Sequence, residues 1–318
     1  MKQPHIPLLD LGLDHGAPSA PTYSRILRRL DPAALTEAIG QALAGMVKTG
    51  LRLALDGKTL RAAHEKESGK PAHILHAVCV ELGECLHAVL VDGKHNEVVA
   101  ARDVIALILK RFPQVDVVTG DAMFAHRDLC RAILDAGRDY LFKLKENQPT
   151  QLEEARRLLG RRENPEFVET QVGHGRIETY RVFVTGEIAG WMDWPGLQSA
   201  LRIQKTTEHV RGGSTWKTTV SDHYALSSLP PQAQSLFSVH HGHWGVEASF
   251  QFKDVTLRED RCAVHSADGA LVAATMHSFA HTLLKRLAAG KRYLSRLCAD
   301  IQVNPTAVLA ALGLAKGE

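Results

Sequence analysis

Residues 51–60 read LRLALDGKTL, and the reading of this stretch decides the architecture. An apolar run ends in Asp56-Gly57, the pattern of a buried strand stopping at a turn, with the Asp56 carboxylate at its carboxyl end. Beyond it, HILHAVCVEL (73–82) and CLHAVLVDG (85–93) flank Gly83-Glu84, a two-residue connection suited to a hairpin, so three antiparallel strands are expected in succession. Val104, Ile105, Leu107, Ile108 and Phe112 recur at helical spacing over 98–112, and Pro113 ends that helix before VDVVTGDA (115–122). Asp121 thus leaves a fourth strand. A helix over 127–136 leads through Gly137 to DYLFKLK (139–145), a fifth strand whose alternation sets Lys143 and Lys145 on one face, at the expected sheet margin. The order is β-β-β-α-β-α-β, with an acid after the first and fourth strands.

Working outward, residues 1–21 read as an irregular lead-in, and Pro21-Thr22 opens a helical pattern through Ile26, Leu27, Leu30, Leu35, Ile39 and Leu43. A helix over 152–159 precedes a stretch from about 165 to 229 rich in Thr, Val, Gly and Trp with hairpin-like alternation. Pro230-Pro231 closes it, and helical pattern returns in HWGVEASFQFKDV (243–255) and again over 269–287. The chain divides into a short helical segment (1–46), the first part of an α/β core (47–160), a β-rich insertion (161–232) and the rest of the core with C-terminal helices (233–318).

Of the 318 residues 45% are hydrophobic and 23% charged, enough for a buried core and against a disordered chain. A formal net charge of +3 permits a nucleic-acid partner without establishing one. Cys79, Cys85, Cys130, Cys262 and Cys298 stand singly, which fits a reducing, cytoplasmic setting and suggests neither a disulfide framework nor a zinc ribbon. The N-terminal apolar patch is broken by Asp10, Asp14 and prolines, unlike a secretory signal, and no stretch is apolar enough to cross a bilayer.

A single acid after a strand is ordinary, because loops at strand ends are polar. Two acids leaving neighbouring strands converge, and magnesium or manganese prefers such hard oxygen donors. Two ions about 3.5–4 Å apart suit the in-line displacement of a phosphodiester. A third acid would complete the seat, and spacing leaves Glu247, Asp254, Glu259 and Asp260 open.

The segments LALDGKTLRAAH, HAVCVELGECLHAVLVDGKHNEVVAARDVI, VVTGDAMFAHRDLCRAILDAGRDYLFKLKENQPTQ, GHGRIETYRVFV and HWGVEASFQFKDVTLREDRC resemble, in this order, the DDE transposases of bacterial insertion sequences, in the branch that includes the H-repeat-associated proteins of Rhs elements. The resemblance spans about Ser24 to Leu287. It implies a ribonuclease-H-like core, DNA cleavage and strand transfer with Mg2+ or Mn2+, action on double-stranded element ends and target as a homo-oligomer, and a β-rich insertion before the third acid. By position in the D-G-K, D-A-M and H-W-x-x-E motifs, the metal-binding acids would be Asp56, Asp121 and Glu247. The chain departs from the pattern at His241 (commonly Arg), Ala248 (usually Asn) and Glu146 (usually Gly), in a stretch one residue short between Glu247 and Asp254, and in its short N-terminal segment. A decayed or domesticated transposase that binds DNA without cutting is the alternative.

Lys143, Lys145, Asn147 and Gln148 are candidate phosphate contacts, against the plainer reading of a solvated sheet edge. Lys58 follows Asp56 closely enough to neutralise a phosphate, and Lys253 is assigned to DNA beside it. Trp244 could stack on a displaced base or pin its helix in the core. His241 and His243 would stand in for arginine as phosphate donors; with His240 they lack the second ligand group of a zinc site. Gly173-His174-Gly175-Arg176 lacks the strand-then-helix context of a nucleotide loop.

Overall fold

The computed structural model describes residues 19–44, 50–64, 71–81, 83–92, 96–173, 175–212, 214–261, 264, 266–288 and 293–304. The lead-in before Ser19, His174 and Cys262 lie outside them. Among the described residues nine strands form one mixed sheet: β1 (Leu51–His64), β2 (Pro71–Cys79), β3 (Glu84–Val91), β4 (Val115–Gly120), β5 (Asp139–Leu144), β6 (Phe167–Gly173), β7 (Arg176–Thr185), β8 (Ser199–Arg211) and β9 (Ser214–Ser227). The helices described are α1 (Ala20–Leu27), α2 (Pro32–Ala44), α3 (Glu97–Arg111), α4 (Arg127–Asp135), α5 (Pro149–Leu159), α6 (Ala233–Val255), α7 (Ala267–Ala288) and α8 (Leu294–Val303). Among the described residues no helix is long and apolar enough to cross a membrane.

The spatial order is β3-β2-β1-β4-β5-β9-β8-β7-β6. The first three strands are antiparallel neighbours, as their alternation indicates, and β4 and β5 add in parallel to β1. Both faces are covered. Leu53 and Leu55 of β1 enter one core with Ile105 and Ile108 of α3, Leu129 and Ile133 of α4, and Leu152 of α5. Ala54 points the other way, against Val246 and Phe250 of α6. Leu60, Ile74 and Ala88 meet Ala270, Leu271 and Ala274 of α7 on that same side.

Three sequence expectations give way within the sheet. Asp56-Gly57 is not a turn: β1 runs straight through it, because β2 stays in register alongside, with Asp56 opposite His76 and Gly57 opposite Leu75. β2 ends at Cys79 and β3 begins at Glu84, so Glu84 belongs to the strand rather than to the connection, and Gly83 takes the left-handed φ of +64° that glycine adopts without a steric cost. Most consequential, β5 is no margin strand. The β-rich stretch returns so that β9 pairs antiparallel with β5, and β8, β7 and β6 continue the sheet beyond it. The N-terminal helical pattern also divides, at Asp31, whose Oδ1 accepts from the amides of Ala33 (2.9 Å) and Ala34 (3.3 Å) at the start of α2. Gly173 ends β6 and Gly175 immediately precedes β7 at this hairpin.

Candidate active site

Asp56 and Asp121 come together because β1 and β4 are parallel neighbours whose last paired residues are Leu55 and Gly120. Each acid is the next residue of its chain. β4 ends there, as Asp121 opens a 3-10 turn over Ala122–Phe124, so the β1 flank at Asp56 is not covered by a continuing β4. Strand alternation turns Asp56 to the α6 face, where Ala54 packs.

Helix α6 supplies the third element. His243 receives or donates a hydrogen bond at Thr119 Oγ1 (3.0 Å) and holds Nε2 3.8 Å from Asp121 Oδ1. Glu247, one turn further on, is exposed on the same side of the helix, and its charge reaches Asp56. Two of its rivals are engaged elsewhere: Asp254 and Glu259 both accept from Lys58 Nζ. Among the described residues no three His, Cys, Asp or Glu side chains are gathered closely enough to hold one ion.

The electrostatics are unequal. Burial is the main force raising the Asp56 carboxyl, the charge of Asp121 adds to it, and Glu97 and Glu247 contribute after the opposing Gly57 amide, for a value of about 7. Burial also acts upward on Asp121, but the ammonium of Lys143, 2.7 Å from Oδ1, and Lys145, 3.8 Å from Oδ2, outweigh it and hold this carboxyl below its ordinary value. Burial, followed by Lys143, lowers the His243 imidazole to about 4 despite Asp121. It is a neutral ring near pH 7.

The residues assigned to DNA separate into groups. Lys143 and Lys145 stand beside Asp121, and Lys145 has a side chain 60% exposed. Lys58 and Lys253 are interior, 8% and 2% exposed. Lys58 bonds Asp254 and Glu259, while Lys253 Nζ reaches Ser278 Oγ (3.1 Å) and lies 4.5 Å from the Phe250 ring centroid. Their charges tie β1, α6 and α7 together and present no surface to a phosphate. Asn147 and Gln148 donate to the carbonyls of Ala122 (3.0 Å) and Ala125, so these amides brace the loop that follows Asp121. Trp244 packs against Tyr180, His223, His240 and His241, with Lys205 over its ring, pinning α6 to β7, β8 and β9. His241 stacks on Phe237 and approaches Gln171 (3.3 Å) in that same cluster.

One contributor was not singled out from sequence. Glu97, in the first turn of α3, is buried and bonded to His73 Nε2. An acid in a first helical turn ordinarily reads as a solvated partner of the helix dipole, which masks any other use.

The family described as "Transposase DDE domain" matches residues 48–283. The chain belongs to this family. That stretch of the DDE-domain chain runs from before β1 into α7 and contains Asp56, Asp121 and Glu247. Among its relatives, the "Uncharacterized protein in dhlA 3'region" of Xanthobacter autotrophicus is 32% identical over 209 residues, 62% of this chain and 70% of the relative. The "H repeat-associated putative transposase YhhI" of Escherichia coli (strain K12) is 24% identical over 95% of this chain and 83% of its own. Among solved structures, a piggyBac transposase in a synaptic complex with hairpin DNA superposes with a TM-score of 0.42 at 12% identity, over 85% of this chain and 55% of that one.

Proposed function

We propose that this member of the DDE family cleaves DNA at the ends of an insertion sequence and joins them to a target, with Asp56, Asp121 and Glu247 as the metal-binding carboxylates of a ribonuclease-H-like core. In this reading residues 47–160 and 233–318 make the core, 161–232 the β-rich insertion and 1–46 a short helical segment. The observation that carries it is the adjacency of Asp56 and Asp121, each following the last paired residue of the parallel neighbours β1 and β4; burial and neighbouring negative charge raise the Asp56 carboxyl to about 7, which a cation there would relieve. All three donors are hard oxygens, which fits magnesium or manganese.

Bound at these acids, two such ions would supply Lewis-acid activation of the attacking oxygen and neutralisation of the leaving oxygen. The chain's own residues do the rest. Asp56, Asp121 and Glu247 would hold the ions through their carboxylate oxygens. Lys143, which pairs with Asp121, and exposed Lys145 beside it would contact a DNA phosphate at this site. His243, neutral and bonded to Thr119, holds α6 against β4 and thereby sets where Glu247 stands. Asn147 and Gln148 keep the loop after Asp121 in place. Paired element ends call for self-association on DNA, in the cytoplasm.

The test is cleavage and joining of labelled flanking DNA to a target plasmid with magnesium or manganese. Asp56→Ala, Asp121→Ala and Glu247→Ala, each shown to be folded, are expected to abolish both steps; full activity in any of them removes that residue from the site. A second reading, DNA binding without cutting, draws on the Lys143–Asp121 ion pair and on the exposed Glu247. Binding of the ends with no cleavage by the unaltered chain would select it.

A further inference from the structure

We infer that Glu97, held by His73, is a positioning residue for the metal centre: a buried carboxylate on the far side of the catalytic strand whose charge increases the affinity of Asp56 for a divalent cation. The inference rests on the reading of Asp56 as a metal ligand. Glu97 is 1% exposed although it opens a helix, where an acid would normally face water. One carboxylate oxygen is bonded to His73 Nε2, and His73 Nδ1 meets Thr59 Oγ1 at 2.8 Å. A carboxylate only accepts, so Nε2–H is the donor to Glu97. The second oxygen of Glu97, Oε2, is buried without a hydrogen-bond partner among the described residues.

What lies over that carboxylate is the backbone of Gly57. A Cβ placed on Gly57 would fall on the Glu97 carboxyl group itself. The glycine beside Asp56 is therefore required by close approach and not by a left-handed conformation, since Gly57 is not among the positive-φ glycines. Alternation along β1 puts Asp56 on the α6 face and Gly57 on the α3 face, so one strand of backbone separates the two carboxylates. Glu97 cannot ligate the same ion from there. Its negative charge nevertheless acts on Asp56 through an interior where screening is weak. Thr59 from β1, His73 opposite it on β2 and Glu97 from α3 together fix the strand just past Asp56 and place a carboxylate behind it. Groups bonded to a ligand commonly change metal affinity tenfold or more without touching the ion; Glu97 would act on Asp56 by its charge, across the backbone of Gly57.

The experiment is Mn2+ binding to the full chain by electron paramagnetic resonance, with melting curves to show folding. Glu97→Gln is expected to weaken Mn2+ binding about tenfold, and in an Asp56→Asn background the same change is expected to add less than about twofold. A purely structural role would leave the affinity of the folded variant unmoved. Binding by folded Glu97→Gln within about twofold of the unaltered chain overturns the inference, as does an equal loss in the Asp56→Asn background. Should Glu97→Gln fail to fold, Glu97→Asp draws the charge back from Gly57 and is expected to weaken binding about threefold; an unchanged constant overturns the inference equally. Mn2+ binding by Asp56→Asn at full strength would instead refute the underlying assignment of Asp56.

Discussion

Replacing Asp56 by asparagine is expected to make the metal-free protein more stable than the unaltered chain above neutral pH. Burial, then the charge of Asp121, raise the Asp56 carboxyl from 3.8 to about 7. A carboxyl raised in this way keeps a proton in the folded state that the unfolded chain has already lost. The stabilisation is complete below the unfolded value and disappears as pH rises through about 7. At about 1.4 kcal/mol per tenfold change in proton affinity, the loss between about pH 5 and pH 8 is roughly 3 kcal/mol. For a chain of 318 residues that is about 4 °C in Tm, from an unfolding entropy of roughly 2 cal/mol/K per residue. Asparagine keeps the shape and cannot ionise, so the Asp56→Asn Tm minus that of the unaltered chain should grow by about this amount from about pH 5 to pH 8. Millimolar magnesium should reverse the order at pH 8, because it stabilises the folded chain that carries the carboxylate. Scanning calorimetry with chelator and with magnesium at the two pH values decides the matter. Parallel pH profiles for the two proteins, or an equal response to magnesium, would refute the reasoning.

Glu259 titrates with the opposite sign: burial acts upward, but His277, Lys253 and Lys58 outweigh it and hold the carboxyl well below the ordinary glutamate range. Its stabilisation is present above the unfolded value of about 4 and is lost as pH falls below it; Glu259→Gln should cost about 3–5 kcal/mol at pH 7 and flatten the acid side of a urea-melt pH series. Lys145→Ala should weaken DNA binding and lower the slope of affinity against salt by about 1, whereas Lys253→Ala should lower Tm and leave that slope unchanged. Gln148→Ala should speed amide exchange over Ala122–Ala125 and reduce cleavage, with DNA affinity within about twofold of the unaltered chain.

The sequence carries the local signals well. Apolar alternation and Pro113 mark β1 to β5 and the helices between them, because strand and helix periods depend on near neighbours. It carries the wider sheet poorly. Nothing near Lys143 states that β9, more than eighty residues away, will pair with β5 and turn an apparent margin into the middle of the sheet. The Asp56-Gly57 pair misleads for the same reason: locally it reads as a turn, and the glycine instead answers to Glu97 arriving from α3.

The motif order by itself determined the family and the three acids to examine, since each motif is a short run whose residues need no distant partner to be read. Only the tertiary structure decided what the charges do. Lys58 and Lys253 are interior ties and Lys145 is a surface cation, although Lys58 and Lys253 are the ones close to a motif acid in sequence. A side chain's charge is written in the sequence; whether it meets water, a carboxylate or an aromatic face depends on which strands and helices pack around it.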